Sequence, residues 1–283
     1  MDQRLKSLAY RMLGSVADAE DIVQEALLRL HTTEPKPQSE TAFLTRVVSN
    51  LSIDRLRRLK TEREAYPGPW LPEPWLDDDT AGLEQTEGLS IGLLHLMETL
   101  SPAERIVYVL HEAFDYRYAE IAELINITPA SARQRAHRAK TKLSRDGLPG
   151  AAPAAEQQTL LNNLMHRITN GDVPGLVALL QEDAVAYTDG GGIVSAALIP
   201  VSGRDRIAQV SMHLMQKVSS EGAIEMSFIA VNGGAGLLIM QNGAPHSLIS
   251  AAVENGRATN LYVLRNPDKL ANAIQSKPKQ ANR

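Results

Sequence analysis

The chain of 283 residues contains no cysteine, which excludes disulfides, thiol catalysis and cysteine-ligated metal and fits a reducing compartment. No apolar run approaches the ~18 residues of a membrane span. The N-terminus is charged from Asp2 onward and lacks a signal-peptide core, so a cytoplasmic protein with no membrane partner is expected. The seven histidines are scattered and none forms an i,i+4 ligand pair, so neither a metal nor another cofactor is expected. Tryptophan occurs only twice, at Trp70 and Trp75. A basic excess is missing as well: the net charge is −4, so any nucleic-acid binding must reside in particular segments. What remains is an ordinary globular composition, 43% hydrophobic and 22% charged, long enough for two or three domains.

One segment concentrates the positive charge. Residues 129–145 carry six Lys/Arg and no acid. Ala132, Ala136, Ala139 and Leu143 recur at helical spacing and form a stripe that can pack on another helix. Gln134, His137, Arg138 and Thr141 fall on the opposite face, flanked by Ser131, Arg133 and Arg135. Thr128 suits the N-cap and Pro129 the first helical position. Upstream, Tyr118–Ile125 has the pattern of a short helix, and Asn126–Thr128 that of a tight turn. Together these describe a helix-turn-helix whose second helix would lie in a DNA major groove. A basic surface helix in a plain helical hairpin is the alternative.

The rest of the chain divides by composition. Residues 1–62 are expected to be helical, with apolar stripes over Leu5–Leu13, Asp18–Leu30 and Thr41–Leu59. Residues 63–88 are proline-rich and end near the acidic run Asp77–Asp79, which marks a linker. Large aromatics favour burial, so the segment Trp70-Leu71-Pro72-Glu73-Pro74-Trp75 is expected to dock rather than stay solvated. Residues 89–146 form a second helical domain with the helix-turn-helix, and 147–155 a small-residue linker. Residues 156–275 read as α then β, before a polar tail, 276–283. Helices are expected at Glu156–Thr169, Val173–Leu180 and Arg204–Gln216. Strands are expected at Ala184–Thr188, Ile224–Val231, Ala235–Gln241, Ser247–Val253 and Ala258–Leu264, with hairpin turns at Asn232-Gly233, Asn242-Gly243 and Asn255-Gly256.

Two further groups suggest binding surfaces. Asp21, Gln24, Glu25 and Leu28 lie off the apolar stripe of the second segment, where they can meet a basic partner helix or simply face solvent. Asn50, Asp54, Arg57 and Arg58 share one face of the third segment, a combination suited to exposed bases and phosphates or to a solvated helix end.

Residues 19–26 (AEDIVQEA) followed by 43–58 (FLTRVVSNLSIDRLRR) resemble region 2 of the extracytoplasmic-function RNA polymerase sigma factors. Residues 100–105 (LSPAER), 118–122 and 131–143 resemble their region 4. Residues 70–74 (WLPEP), Asp189-Gly190-Gly191-Gly192 and Asn266-Pro267-Asp268-Lys269-Leu270 resemble the signatures of the subgroup with a fused C-terminal SnoaL-like domain. The lysine that usually follows the glycine motif is replaced by Ile193. The resemblance implies two all-α domains plus a C-terminal α+β cone of the NTF2-like class. It implies that core RNA polymerase and promoter DNA are the partners. Asp21, Gln24, Glu25 and Leu28 would meet the polymerase β′ clamp, with the β subunit also engaged. Asn50, Asp54, Arg57 and Arg58 would read and open the −10 element. Ser131, Arg133, Gln134, Arg135, His137 and Arg138 would read the −35 element.

For the C-terminal domain, Asp183, Tyr187, Asp189, His213 and His246 are the acid–base candidates, but no spacing among them compels a dyad. No enzymatic activity is expected. Instead the linker, the glycine turn and the 266–270 segment are expected to meet, with Lys269 pairing an acid. Such a contact would set the relative orientation of regions 2 and 4 and respond to a small-molecule ligand in the cone. The competitors are a helix-turn-helix regulator that does not act as sigma, and an NTF2-like isomerase or cyclase carrying a DNA-binding arm.

Overall fold

The computed structural model describes residues 2–76, 90–145, 147 and 152–275, with backbone only for 272–275. The acidic run Asp77–Asp79, most of the second linker and the polar tail lie outside the described residues. The chain packs as two compact units, Met1–Ala65 with Leu96–Leu148, and Tyr66–His95 with Pro149–Arg283.

The first unit is helical. Helices α1 (Asp2–Leu13), α2 (Val16–Thr32) and α3 (Glu40–Glu64) bury the expected stripes, with Leu8, Met12, Leu44, Val48 and Leu56 almost fully enclosed. Ser15 caps α2 by accepting from the Asp18 N–H at 3.2 Å, and Ser39 caps α3 by accepting from Ala42 at 3.2 Å. A 3-10 turn at Met97–Thr99 belongs to this unit and leads to α5 (Pro102–Glu112), α6 (Tyr118–Leu124) and α7 (Pro129–Arg145). Ser101 and Glu104 form a reciprocal capping box at the start of α5. Helix α5 also packs on α1 and α3, so the two helical modules share one core.

The second unit is α+β. Its first helix, α4 (Ile91–Leu96), starts within the segment expected to open the second helical module, yet Ile91 packs in the core beside the sheet. Six strands follow the order β2-β1-β6-β5-β4-β3, with β1 (Leu180–Asp189) parallel to β6 (Arg257–Leu264). The remaining pairs, with β2 (Val201–Ser202), β3 (Ile224–Val231), β4 (Gly234–Gln241) and β5 (Ala244–Glu254), are antiparallel. Each of the three expected Asn-Gly turns has positive φ at both residues, such as 53° and 71° at Asn232-Gly233, which matches the strand twist.

Alternation along the strands sorts two cores onto opposite faces. On one face α8 (Ala154–Thr169), α9 (Val173–Ala178) and α10 (Arg204–Glu221) pack Leu161, Leu164, Leu176 and Ile207 against Leu237, Ile239, Ala251 and Leu261. On the other, Leu71 of the linker and Ile91 pack against Leu248, Ala252, Tyr262 and Leu264.

Three local expectations are corrected. Leu180 begins β1 rather than ending a helix, because the Ala258 N–H takes the Leu179 carbonyl (2.9 Å) and draws the chain alongside β6. The two-residue β2 was not foreseen; it is held only by pairing with β1. Residues 267–275 form a helix, α11 (Pro267–Gln275), where no helix was expected. Asn266 accepts from the Asp268 N–H through its side chain (3.0 Å) and from Leu270 through its carbonyl (3.1 Å), with Pro267 at the first helical position.

Candidate nucleic-acid interface and linker-docking site

Helix α7 is built by local rules. Asn126, at φ 54°, makes the turn, and the Thr128 hydroxyl accepts from the Ser131 N–H at 3.2 Å. Ala132, Ala136, Ala139 and Leu143 are buried, as their spacing requires. Arg133, Gln134, His137 and Arg138 are exposed, and Ser131 and Arg135 are half-buried. Three of the bases on the helix, Arg138 among them, pair with acids of α5. Arg138 lies 3.4 Å and Lys142 2.8 Å from Glu104, and Lys140 lies 2.8 Å from Glu112. Among the described residues Arg133 and Arg135 have no carboxylate partner, so their charge is free for an anion. Burial acts to raise the Glu104 pKa, but hydrogen bonds from Lys142 and Ser101 outweigh it and hold the carboxyl at about 2.

In the first module, Asp21 and Gln24 are exposed, Glu25 is half-buried and paired with Arg29 at 2.7 Å, and Leu28 presents 59% of its surface. An isolated exposed leucine is ordinary; one beside acids on a helix face is a candidate anchor. Asn50, Asp54, Arg57 and Arg58 are all exposed along one face of α3, with Arg57 bonded to Asp54 at 2.8 Å.

The modules are joined by a buried charge cluster that sequence reasoning missed. Arg105, fully buried, donates its Nε to the Arg11 carbonyl (3.0 Å) and pairs with Glu98. Glu98 also pairs with Arg63, which donates to the Leu13 carbonyl at 2.6 Å. Lys60 donates to the carbonyls of Glu98 (3.2 Å) and Leu100 (2.6 Å). Burial acts to raise the Glu98 pKa, and the Arg105 and Arg63 guanidiniums reverse it, keeping the carboxyl ionised. The available signal was an arginine at position 105, beside the apolar run of α5.

In the second unit the expected linker, glycine turn and 266–270 segment meet around Asp189, whose side chain has no solvent exposure. Its Oδ2 accepts from the Leu71 N–H (2.9 Å) and from Lys269 Nζ (2.8 Å). Its Oδ1 accepts from the Tyr66 hydroxyl (2.6 Å) and the Gly191 N–H (3.0 Å). Lys269 also donates to the Leu71 carbonyl at 2.6 Å and sits 4.2 Å from the centre of the Trp70 ring. Asn266 donates to the Tyr66 hydroxyl at 3.0 Å. Burial and the bond to Asp189 push the Tyr66 pKa well up, so the phenol remains a donor. Through its main chain Trp75 accepts the Asn232 N–H (2.9 Å) and donates to the Asn232 side-chain Oδ1 (3.0 Å). Leu71, Pro72, Pro74, Trp75 and Leu270 are buried, while Trp70 and Glu73 are half-buried. Gly192, at φ 72°, could not carry a Cβ, since the atom would lie 2.7 Å from Pro67 of the linker. Gly190 is buried, Asp268 is exposed and Ile193 is 57% exposed.

The acid–base candidates do not converge. Asp183 and His213 are exposed, and the Asp189 carboxylate is taken up by the linker. Tyr187 stacks on Tyr262 on the linker-covered face, at 5.6 Å between ring centres, and His246 lines a cavity on the helix-covered face. Among the described residues no cluster of three or more metal-ligating side chains occurs, and no helix is long and apolar enough to cross a membrane.

Comparison with known proteins agrees with this geometry. The Sigma-70 region 2 family matches residues 2–62, and the Sigma-70, region 4 family matches residues 91–143. The chain is 34% identical over 281 residues to the ECF RNA polymerase sigma factor SigJ of Mycobacterium tuberculosis, covering 94% of this chain and 90% of that one. It is 29% identical over 276 residues to the probable ECF RNA polymerase sigma factor SigI of the same species, covering 94% and 91%. The crystal structure of Mycobacterium tuberculosis SigJ superposes with a TM-score of 0.77 at 33% identity and covers 95% of both chains. The basic helix with its free arginines, the two helical modules and the fused α+β domain therefore have one shared explanation: the chain belongs to the extracytoplasmic-function RNA polymerase sigma factors and supports promoter-directed transcription initiation.

Proposed function

We propose that this sigma factor is controlled in cis by its C-terminal domain, and that the compact helical unit is its resting form. The −35 element is read by Ser131, Arg133, Gln134, Arg135, His137 and Arg138. The −10 element is read and opened by Asn50, Asp54, Arg57 and Arg58. The acidic face with Asp21, Gln24, Glu25 and Leu28 docks on the polymerase β′ clamp, and the β subunit completes the binding site. Phosphate contacts dominate affinity and make it salt-dependent, while side chains on base edges set specificity. The work is binding in the cytoplasm; no covalent step is assigned to the chain.

Size supports the resting-form assignment. The −10 and −35 elements lie ~25 base pairs apart, or ~85 Å at ~3.4 Å per pair. A compact unit of about 120 residues is only ~35 Å across. Both elements cannot be read at once until the modules part. A free linker of about 30 residues reaches ~100 Å, enough to span the promoter. Docking of Tyr66–Leu76 and Ile91 on the sheet domain removes that reach. The observation that carries the proposal is Asp189, whose carboxylate holds the linker through Leu71, Tyr66 and Lys269.

The test is run-off transcription with core polymerase from a promoter found by selection. The full chain yields a specific transcript, Arg133→Ala lowers it roughly tenfold or more, and Asp189→Ala raises it. No transcript and no core binding would move the assignment to a DNA-binding regulator. A transcript unaffected by Asp189→Ala would remove control through the linker.

A further inference from the structure

The C-terminal domain holds a cavity on the face of the sheet away from the linker. It encloses about 110 Å³ between α8, α10 and the sheet. Met165 and Met215 on the helices and Ile239, Ile249 and Val263 on the strands make its walls apolar. One end carries His246 and Arg265. The Arg265 guanidinium donates to the Ser195 carbonyl and lies 3.0 Å from His246 Nε2. Its Nε is buried without a hydrogen-bond partner. The Glu221 carboxylate acts on Arg265 by charge from beyond ion-pair distance, against the burial that pushes its pKa down. Burial, and then the charge of Arg265, pushes the His246 pKa down, so the imidazole is neutral near pH 7 and accepts from the guanidinium.

We propose that this cavity binds a small carboxylic acid with an apolar body, its carboxylate on Arg265 and its ring or chain among the methionine, isoleucine and valine side chains. A partly buried cation with an orphaned donor and no direct carboxylate contact offers a place for an anion. With His246 neutral, Arg265 is the one cation lining the cavity and Glu221 already opposes part of its charge, which favours a monoanion. A phosphate dianion would leave negative charge uncompensated against apolar walls. The volume is a little under that of an apolar cavity that takes benzene, ~150 Å³, so the ligand is a single ring or a short chain.

The site deepens the proposed cis control and rests on it for its consequence. The backbone N–H groups of Arg265 and Asn266 both donate to the Asp189 carbonyl, at 2.7 and 2.8 Å. The residue that meets the ligand is therefore one main-chain hydrogen bond from Asp189, whose carboxylate holds the linker on the opposite face of the sheet. A ligand acts on transcription only so far as it binds the docked and released forms with different affinity.

Calorimetry on the full chain tests the site with benzoate and hexanoate against benzamide and hexanamide, which keep the shape and lose the charge. The acids should bind one per chain, roughly tenfold or more tighter than the amides. Arg265→Gln should abolish that preference, and Val218→Trp, which fills the cavity, should abolish binding of acid and amide alike. No binding by any probe, equal binding of acid and amide, or a preference that survives Arg265→Gln would overturn the proposal. Should Arg265→Gln lose its circular dichroism signal, Val218→Trp decides, and retained acid binding in that variant would overturn it. Run-off transcription separates the two levels. Benzoate should change transcript yield at least about twofold in the wild-type chain and not in Val218→Trp, a shift in line with modest coupling energies. Calorimetric binding without that change would overturn ligand control while the site stands.

Discussion

Two buried charge clusters hold this chain together, and they are built differently. In the helical unit Glu98 pairs with Arg105 and Arg63, and Lys60 sits on its carbonyl. The surplus positive charge is absorbed by backbone carbonyls. Arg105 and Arg63 take the Arg11 and Leu13 carbonyls at the C-terminal end of α1, where helix carbonyls lack partners and the dipole favours cations. In the sheet domain Asp189 faces a single cation, Lys269, and fills its remaining capacity with a phenol and two backbone N–H groups. The first cluster is anchored on helix ends and draws on several cations. The second depends on one carboxylate that serves four donors from three segments. The difference suggests where the molecule is rigid and where it is switched: removing one group from the Asp189 site releases the linker as a whole.

Substitutions can break this comparison in order of size. Asp189→Ala leaves Lys269 without its ion-pair partner beside Leu71 and Tyr66. Breaking a buried pair from one side costs about 3–5 kcal/mol. The expected result is loss of linker docking, read as a red shift of the Trp70 and Trp75 emission and protease sensitivity near residues 66–76. Unchanged emission would mean that Asp189 does not hold the linker. Glu98→Gln keeps an acceptor for Arg105, so a smaller loss of about 2 kcal/mol is expected. It should appear in thermal unfolding of the helical unit and leave tryptophan emission unchanged. An equal effect on both signals would show that the clusters are not independent.

The smallest effect separates the two units by pH. Glu104 has its folded-state pKa depressed from 4.5 to about 2, so its contribution is fully present above pH 4.5 and is lost as pH falls toward 2. By pH 3.5 the loss is about 1 kcal/mol. Glu104→Gln should flatten that part of the stability curve. A profile between pH 5 and 3 that is identical in the variant would show that Lys142 and Ser101 do not stabilise the charged form.

Much of the architecture follows from local chemistry. The Thr128 cap, the alanine stripe of α7 and the Asn-Gly turns depend on residues within a few positions of one another, and each forms where the pattern places it. The exposed face of α7 follows from the same periodicity. Docking of Trp75 was legible because a large aromatic in a proline-rich segment has no other good place. Other features carried little local signal. Helix α11 hid behind an Asn-Pro pair that also ends strands, and β2 exists only through its pairing with β1. The roles of Glu98, Arg105, Tyr66 and Arg265 depend on partners far along the chain, so no window of sequence announces them.

The sequence by itself determined most of the helices, strands and turns, because periodicity and caps act over a few residues. It also determined the family, because two motif blocks stand in order with their spacing. Only the tertiary structure decided what each buried charge does. An aspartate at the end of a strand is a turn residue, a base or a latch according to its neighbours. Here those are Leu71, 118 positions before Asp189, and Lys269, 80 positions after it. A buried charge must find compensation wherever the fold supplies it, and that supply comes from three-dimensional packing rather than from position in the chain.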